Sequence, residues 1–492
     1  MSCSAKAVSN TEIVIVSVCA GITFVAVTWR IGNPALWYDE HTSLAFAQES
    51  WTDLFGRLWA ADAHRPIYYA LLKAWMAIFG YEQGTARVLG GVLAVGTVPL
   101  VWGIGRVLGG TRVGILAAAL VALSPLFIAQ ARDLRMYPLF TFTILLAVLA
   151  VAVILRRGGN PGLWLLFAGA AALAFYTQAT GILIVPLVGL ALVAMVMTGA
   201  NDPRILIGFL VASLLWFILI LPGLWPAIFH TRETLANFWI PAPSLRWAWS
   251  QITGAYPYPA LSKPIIITAL VAGFYAAWRA ERRAFWLCLV LVAGTPVLLL
   301  ILSFIRPVLI VRAFVWTTVL AAVVMAFGLA TLSRRFCIAG LAFLVGLQIL
   351  VLRPYYPAEP ISTDIDRLAP ELANFNVRTD ILFLGLISFE PNLRRNHPWL
   401  RDADMRALSH GDRREVFHDL LWSDHRNRAE ASTMPLIGSL LWLIWETDPL
   451  FAISPEDDVT AALDAIRARG KVLRSVNAGR VRLEIIGLPP SR

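Results

Sequence analysis

Apolar runs of about 20 residues follow one another along this chain, separated by short loops that carry arginine, and they narrow its folding options more than any other feature. A helix needs about 20 residues to cross the hydrocarbon core of a bilayer, and lipid offers no hydrogen-bond partner to an open strand. The runs lie at 11–29, 85–105, 113–130, 137–155, 161–178, 181–198, 204–224, 264–279, 284–305, 308–331 and 336–352. They predict a polytopic α-helical membrane protein with about 11 transmembrane helices. One apolar stretch is left out. HRPIYYALLKAWMAIFG, at 64–80, holds Lys73 in a short run and reads as an interfacial helix.

Charge parity supports that count. With the N-terminus cytoplasmic, the inside loops carry Arg106 with Arg112, Arg156 with Arg157, then Arg204. Arg279, Arg282 and Arg283 follow, and then Arg334 with Arg335. Every inside loop is basic, as the positive-inside bias requires, and counting 64–80 as a span would put the later pairs outside. Three larger segments then face outward: 30–84, with its interfacial helices, 225–263, and everything after Arg353. The expected domains are a transmembrane region, 1–352, and a small extracytoplasmic α/β domain, 353–492. The expected location is a bacterial inner membrane with the C-terminal domain periplasmic.

Composition agrees. Of the 492 residues, 58% are hydrophobic and 15% charged, and the mean hydropathy is +0.69; soluble domains carry about 25% charge. The net charge of +10 could suggest nucleic acid, but loop arginines account for it and no nucleic-acid partner is expected. Cys3, Cys19, Cys288 and Cys337 all precede the polar tail, which therefore has no disulfide framework or cysteine zinc site of its own. The run 11–29 is long for a signal peptide and lacks a convincing cleavage site, so it reads as a membrane helix. In the tail, ILFLGLIS (381–388) and LLWLIW read as buried strands, Asp457 to Arg469 as helix, and VLRSV with VRLEIIGL as a closing hairpin.

The residues able to do chemistry gather on the predicted outer face. LWYDEHTSLAFAQES places Asp39 and Glu40 just after the first span. Neighbours on a helix point about 100° apart, so one acid can face a cavity while the other caps or packs. A carboxylate against a low-dielectric wall suits a general base; an ordinary helix cap is the competing account. AQARDLRMYPL gathers Arg132, Asp133, Arg135 and Tyr137, a cluster able to hold an anion or to anchor headgroups. His64 precedes the interfacial helix, and Tyr176 and Gln178 end the fifth span. Arg306 and Arg312 flank the outer end of the tenth, where an arginine inside a span marks a site unless it snorkels. A phosphate-linked lipid donor needs cations for its leaving group and a base for its acceptor.

These pieces, in order, resemble the polytopic C-type (GT-C fold) glycosyltransferases of the protein-mannosyltransferase and aminoarabinose-transferase group. The carriers are WYDE at 37–40, HRPIYYALLKAW with IFG at 64–80, SPLFIAQARDLRMY at 124–137, YTQATG at 176–181 and RPVLIVR at 306–312. The resemblance implies an inverting transfer of a sugar from a polyprenyl-phosphate donor to a lipid, glycan or protein acceptor on the outer face. It implies Asp39 as catalytic base, Glu40 shaping the site and Asp133 as a second acid. Arg312 and Arg306 would hold the donor phosphate, with His64, Arg132, Tyr137 and Gln178 as further donor-side candidates. It implies no cofactor and no catalytic metal. The chain departs from relatives in having Asp133 where they often show Glu, Arg65 before Pro66 where they show two prolines, Gln178 where they show His or Lys, and Ala313 where they show Tyr. A transporter or flippase fits less well, because the predicted span interiors hold almost no charge. A lipid-linked glycan ligase would not call for an Asp-Glu pair directly after the first span.

Overall fold

In a computed structural model, the described residues are 7–34, 36, 38–56, 66–80, 82–229, 243–305, 307–356, 366–384, 398–400, 403–407, 440–446, 464, 467–468, 470–478 and 481–487. They fall into two compact units, 1–31 with 51–356, and 32–50 with 357–492.

The first unit is helical. Among its described residues, 9 helices are long and apolar enough to cross a membrane: Asn10–Thr28, Gln83–Gly109, Tyr137–Arg157, Ala179–Met197, Ile205–Leu224, Ala260–Ala280, Arg282–Ser303, Val311–Thr331 and Arg334–Tyr355. A tenth is the pair Thr111–Val121 and Pro125–Arg132, bent by 51°. Pro125 opens the second half, where its missing N–H costs nothing. Near the break, the Leu120 carbonyl accepts from Gln348 Nε2 at 2.9 Å. The Pro161–Thr177 helix has 17 residues and falls just below the same length test; it makes up the difference from the expected count. Pro66–Phe79, at 14 residues, has the length expected of an interfacial helix rather than a span.

Burial sorts the helices. The apolar window of Val311–Thr331 is 89% buried and that of Tyr137–Arg157 is 78% buried, against 17% for Ile205–Leu224. The first two form the centre, and the last turns Ile207, Leu210, Leu214 and Phe217 outward, as a lipid-facing helix must. Small residues let backbones approach. A side chain at Gly273 would strike the Val324 carbonyl, and one at Gly90 would strike that of Ala131.

The two ends of the bundle differ. At one end Arg106 pairs with Glu12 at 2.9 Å, Arg112 donates to the Leu332 carbonyl at 2.8 Å and Arg156 pairs with Glu281 at 2.8 Å. Arg283 donates there to the carbonyls of Ala200 and Leu155. These are the loops that charge parity grouped together. Helices leaving this end run in alternating directions, so Arg132, Gln178 and Arg312 come to the opposite end.

The second unit, in its described part, includes the Tyr38–Gln48 helix, a short helix Ala369–Leu372 and a five-stranded sheet: β1 (Ile381–Leu384), β2 (Asp404–Ala407), β3 (Leu440–Glu446), β4 (Lys471–Ala478) and β5 (Val481–Gly487). The strand order is β2-β1-β3-β5-β4. The first three strands are parallel, while β5 runs antiparallel to β3 and to β4. Both apolar stretches of the tail thus lie side by side, Leu382 opposite Trp442, and VLRSV pairs with VRLEIIG as a hairpin. Leu382, Trp442, Ile444 and Leu483 fill the core. Buried Asp380 accepts from Trp442 Nε1, Thr379 Oγ1 and the Asn376 N–H, each at 3.1 Å, so its carboxylate is satisfied. Most of the helix expected over 457–469 lies outside the described residues.

Candidate functional site

Asp39 and Glu40 fall in the first turn of the Tyr38–Gln48 helix, where negative charge meets the positive end of the helix dipole. Glu40 is fully buried and Asp39 half-buried. Of the two adjacent acids, Glu40 is the one that packs. Asp39 lies inside the helix rather than capping it, and its carbonyl accepts from Ser43 Oγ at 2.9 Å.

In the helical unit, the ARDLRMY segment is a tight connection between two helices. Asp133 follows the Pro125–Arg132 helix with extended backbone, its carbonyl accepts from the Arg135 N–H at 2.8 Å, and Tyr137 opens the next helix. Asp133 is half-exposed; Arg132, Arg135 and Tyr137 are buried. Arg132 spends its guanidinium on backbone. Nη1 donates to the carbonyls of Val27 and Trp29 at 2.7 and 2.8 Å and of Ala26 at 3.3 Å, and Nη2 reaches Arg30 at 3.4 Å. These are the carbonyls that the end of the first span leaves without helical partners. Arg30 has φ 52°, a left-handed conformation that costs a side-chain-bearing residue about 1–2 kcal/mol. Arg87 holds the next carbonyl, that of Ile31, at 3.0 Å. Tyr356 stacks on Arg132 at 4.5 Å and donates to the Ala26 carbonyl at 2.7 Å; burial raises its phenol above the usual value, with Arg132 pulling it back.

Gln178 sits in an extended hinge between Pro161–Thr177 and the 3-10 turn Ala179–Leu183, half-buried. Arg312, also half-buried, lies on the 3-10 turn Val311–Phe314 that leads into Val315–Thr331. A small cavity of about 10 Å³, room for about one water, lies beside the bent span, lined by Ser124, Tyr256, Tyr258, Thr318 and Gln348 among others. Burial pushes the Tyr258 phenol up to about 12, so it is a neutral hydrogen-bonding group there. Among the described residues, no three His, Cys, Asp or Glu side chains are grouped to hold a metal ion. His64 and Arg306 lie outside the described residues.

The fold can be set beside known ones. ArnT of Cupriavidus metallidurans, in the structure bound to undecaprenyl phosphate, superposes with a TM-score of 0.62 at 12% identity, covering 97% of this chain and 98% of that one. Its apo structure gives 0.61 at 12% identity, with 96% and 97% covered. The oligosaccharyltransferase of Archaeoglobus fulgidus gives 0.54 at 13% identity, over 92% of this chain and 72% of that one. The sequence model of the dolichyl-phosphate-mannose-protein mannosyltransferase family matches residues 63–225. The chain has the GT-C fold of these polytopic transferases. No curated protein sequence matches this chain.

Sequence reasoning overlooked Arg87 and Tyr356, which help to tie down the end of the first span. It also overlooked Ser303, Trp247 and Gln251, which surround the segment before Arg312. An arginine in the apolar run 85–105 was the available signal for Arg87. For Tyr356, Trp247 and Gln251 there was none, because each acts on backbone atoms far away in sequence, whereas Ser303 acts on N–H groups five and six residues on.

Proposed function

We propose that this GT-C glycosyltransferase moves a sugar, with inversion, from a polyprenyl-phosphate donor to an acceptor hydroxyl on the extracytoplasmic face of a bacterial inner membrane. Asp39 accepts the hydroxyl proton. The acceptor oxygen then forms the new bond to the anomeric carbon, and the bond from that carbon to the phosphate oxygen breaks. Its electron pair leaves with the polyprenyl phosphate. Arg312 offsets the negative charge gathered there, as a leaving group in a low-dielectric site requires. Asp133 and Gln178 act on the donor side.

The observation that carries this is the sorting of the helical unit's polar groups. Asp133, Gln178 and Arg312 stand at one end, where Arg132 and Arg87 hold the carbonyls of Val27 and Ile31, while the loop arginines are tied together at the other. The likeness to a structure with undecaprenyl phosphate bound supports a polyprenyl-phosphate donor.

The test is Asp39→Asn in the purified full-length enzyme in lipid nanodiscs, supplied with labelled polyprenyl-phosphate sugars and membrane acceptors. Transfer should fall at least about a thousandfold with the unfolding midpoint unchanged. Near-normal turnover would remove Asp39 as the base.

A further inference from the structure

The span Arg282–Ser303 does not run directly into Val311–Thr331. Between them lies a short non-helical segment, and Ile310 is extended at φ −132°, ψ 147°. Irregular backbone beside a membrane must have its polar groups satisfied by protein. Here side chains do it. Ser303 Oγ, itself buried, accepts from the N–H groups of Val308 and Leu309 at 3.1 and 2.8 Å, and donates to the Leu299 carbonyl at 2.7 Å. Pro307 has no N–H to satisfy.

The rest comes from the Leu245–Gly254 helix. Trp247 Nε1 donates to the Leu309 carbonyl at 3.1 Å, and Gln251 Oε1 accepts from the Val311 N–H at 2.9 Å. The two residues are four apart, one helical turn, so both face the same segment. Leu245 and Trp249 turn outward at 91% and 68% exposure, leaving Ala248 buried on the inner face. The helix therefore presents one apolar side to lipid and uses the other to grip Leu309 and Val311, the latter directly before Arg312.

We infer that Gln251 and Trp247 are positioning residues, which hold segment 308–311 in its extended form and so fix where Arg312 is presented to the donor phosphate. The inference rests on the donor-binding role proposed for Arg312. Without the two contacts, Leu309 and Val311 lose their tethers to the Leu245–Gly254 helix, and the turn that carries Arg312 becomes one of several.

Two measurements on the full-length enzyme in nanodiscs separate the clamp from the role it serves. The first is amide hydrogen exchange over 307–314. Gln251→Met, close in shape but without the acceptor, should speed exchange at Val311 about tenfold or more, while Gln251→Glu, which keeps an acceptor oxygen, should stay near the parent. The second is the affinity for undecaprenyl phosphate. Gln251→Met and Trp247→Phe should each weaken it about tenfold, and Gln251→Met should add nothing in an Arg312→Ala background. Unchanged exchange in Gln251→Met overturns the clamp. So does an affinity that responds to Arg312→Ala but not to Gln251→Met. If Arg312→Ala leaves affinity untouched, the phosphate role fails, and with it the purpose given to the clamp, even where exchange is faster.

Discussion

The guanidinium of Arg132 meets the carbonyl oxygen of Val27 at 2.7 Å, closing the end of the first span with a residue 105 positions further along the chain. Arg132 thereby holds the backbone carbonyls that end the first span.

Arg132→Ala should therefore act through stability. It strips the main donor from several carbonyls at one helix end, for a loss of about 3 kcal/mol, and Arg132→Lys should recover part of it. Thermal unfolding in detergent checks the first statement. Undecaprenyl phosphate affinity of the protein that remains folded should stay within about twofold of the parent. A large loss of affinity with an unchanged unfolding midpoint would return Arg132 to the donor site.

Gly273 packs the Ala260–Ala280 helix directly against the Val324 carbonyl of Val311–Thr331. Gly273→Val must push the helices apart or distort one, at about 1–3 kcal/mol. Lower yield and a lower unfolding midpoint are expected. A midpoint equal to the parent would mean that the contact is looser than drawn.

Glu12 and Arg106 form a pair at the opposite end with side chains only 6% and 16% exposed. Removing one partner strands the other charge, so Glu12→Ala and Arg106→Ala should each destabilise by about 2–4 kcal/mol, and the double variant by less than their sum. A double-variant cycle read by thermal unfolding measures this directly. Simple additivity would show that the pair contributes nothing as a pair.

In the sheet unit, Trp442→Phe preserves the apolar ring but removes the indole N–H that reaches Asp380. The carboxylate keeps its contacts to Thr379 and the Asn376 N–H, so the expected loss is about 1–2 kcal/mol, read by chemical denaturation of the full chain. Asp380→Ala in the same background should then cost less than it does in the parent.

What the sequence determined by itself is what short-range physics governs. Apolar length against bilayer thickness marked the membrane helices, and loop arginines grouped their ends; the contacts of Arg106, Arg112, Arg156 and Arg283 follow that grouping. Alternating and continuous apolar patterns marked β1, β3 and the β4–β5 hairpin, because a strand's two faces are written in consecutive residues. The pairing of β1 with both β2 and β3 was not legible, since a parallel ladder depends on distant segments. Side-chain roles divided in the same way. That Arg312 sits in an apolar setting was visible, because burying a charge is costly wherever it occurs. That Arg132 is taken up by the carbonyls of Val27 and Trp29, and that Gln251 grips Val311, was decided by tertiary structure alone. Backbone polar groups are the same at every residue, and only folding determines which side chain reaches them.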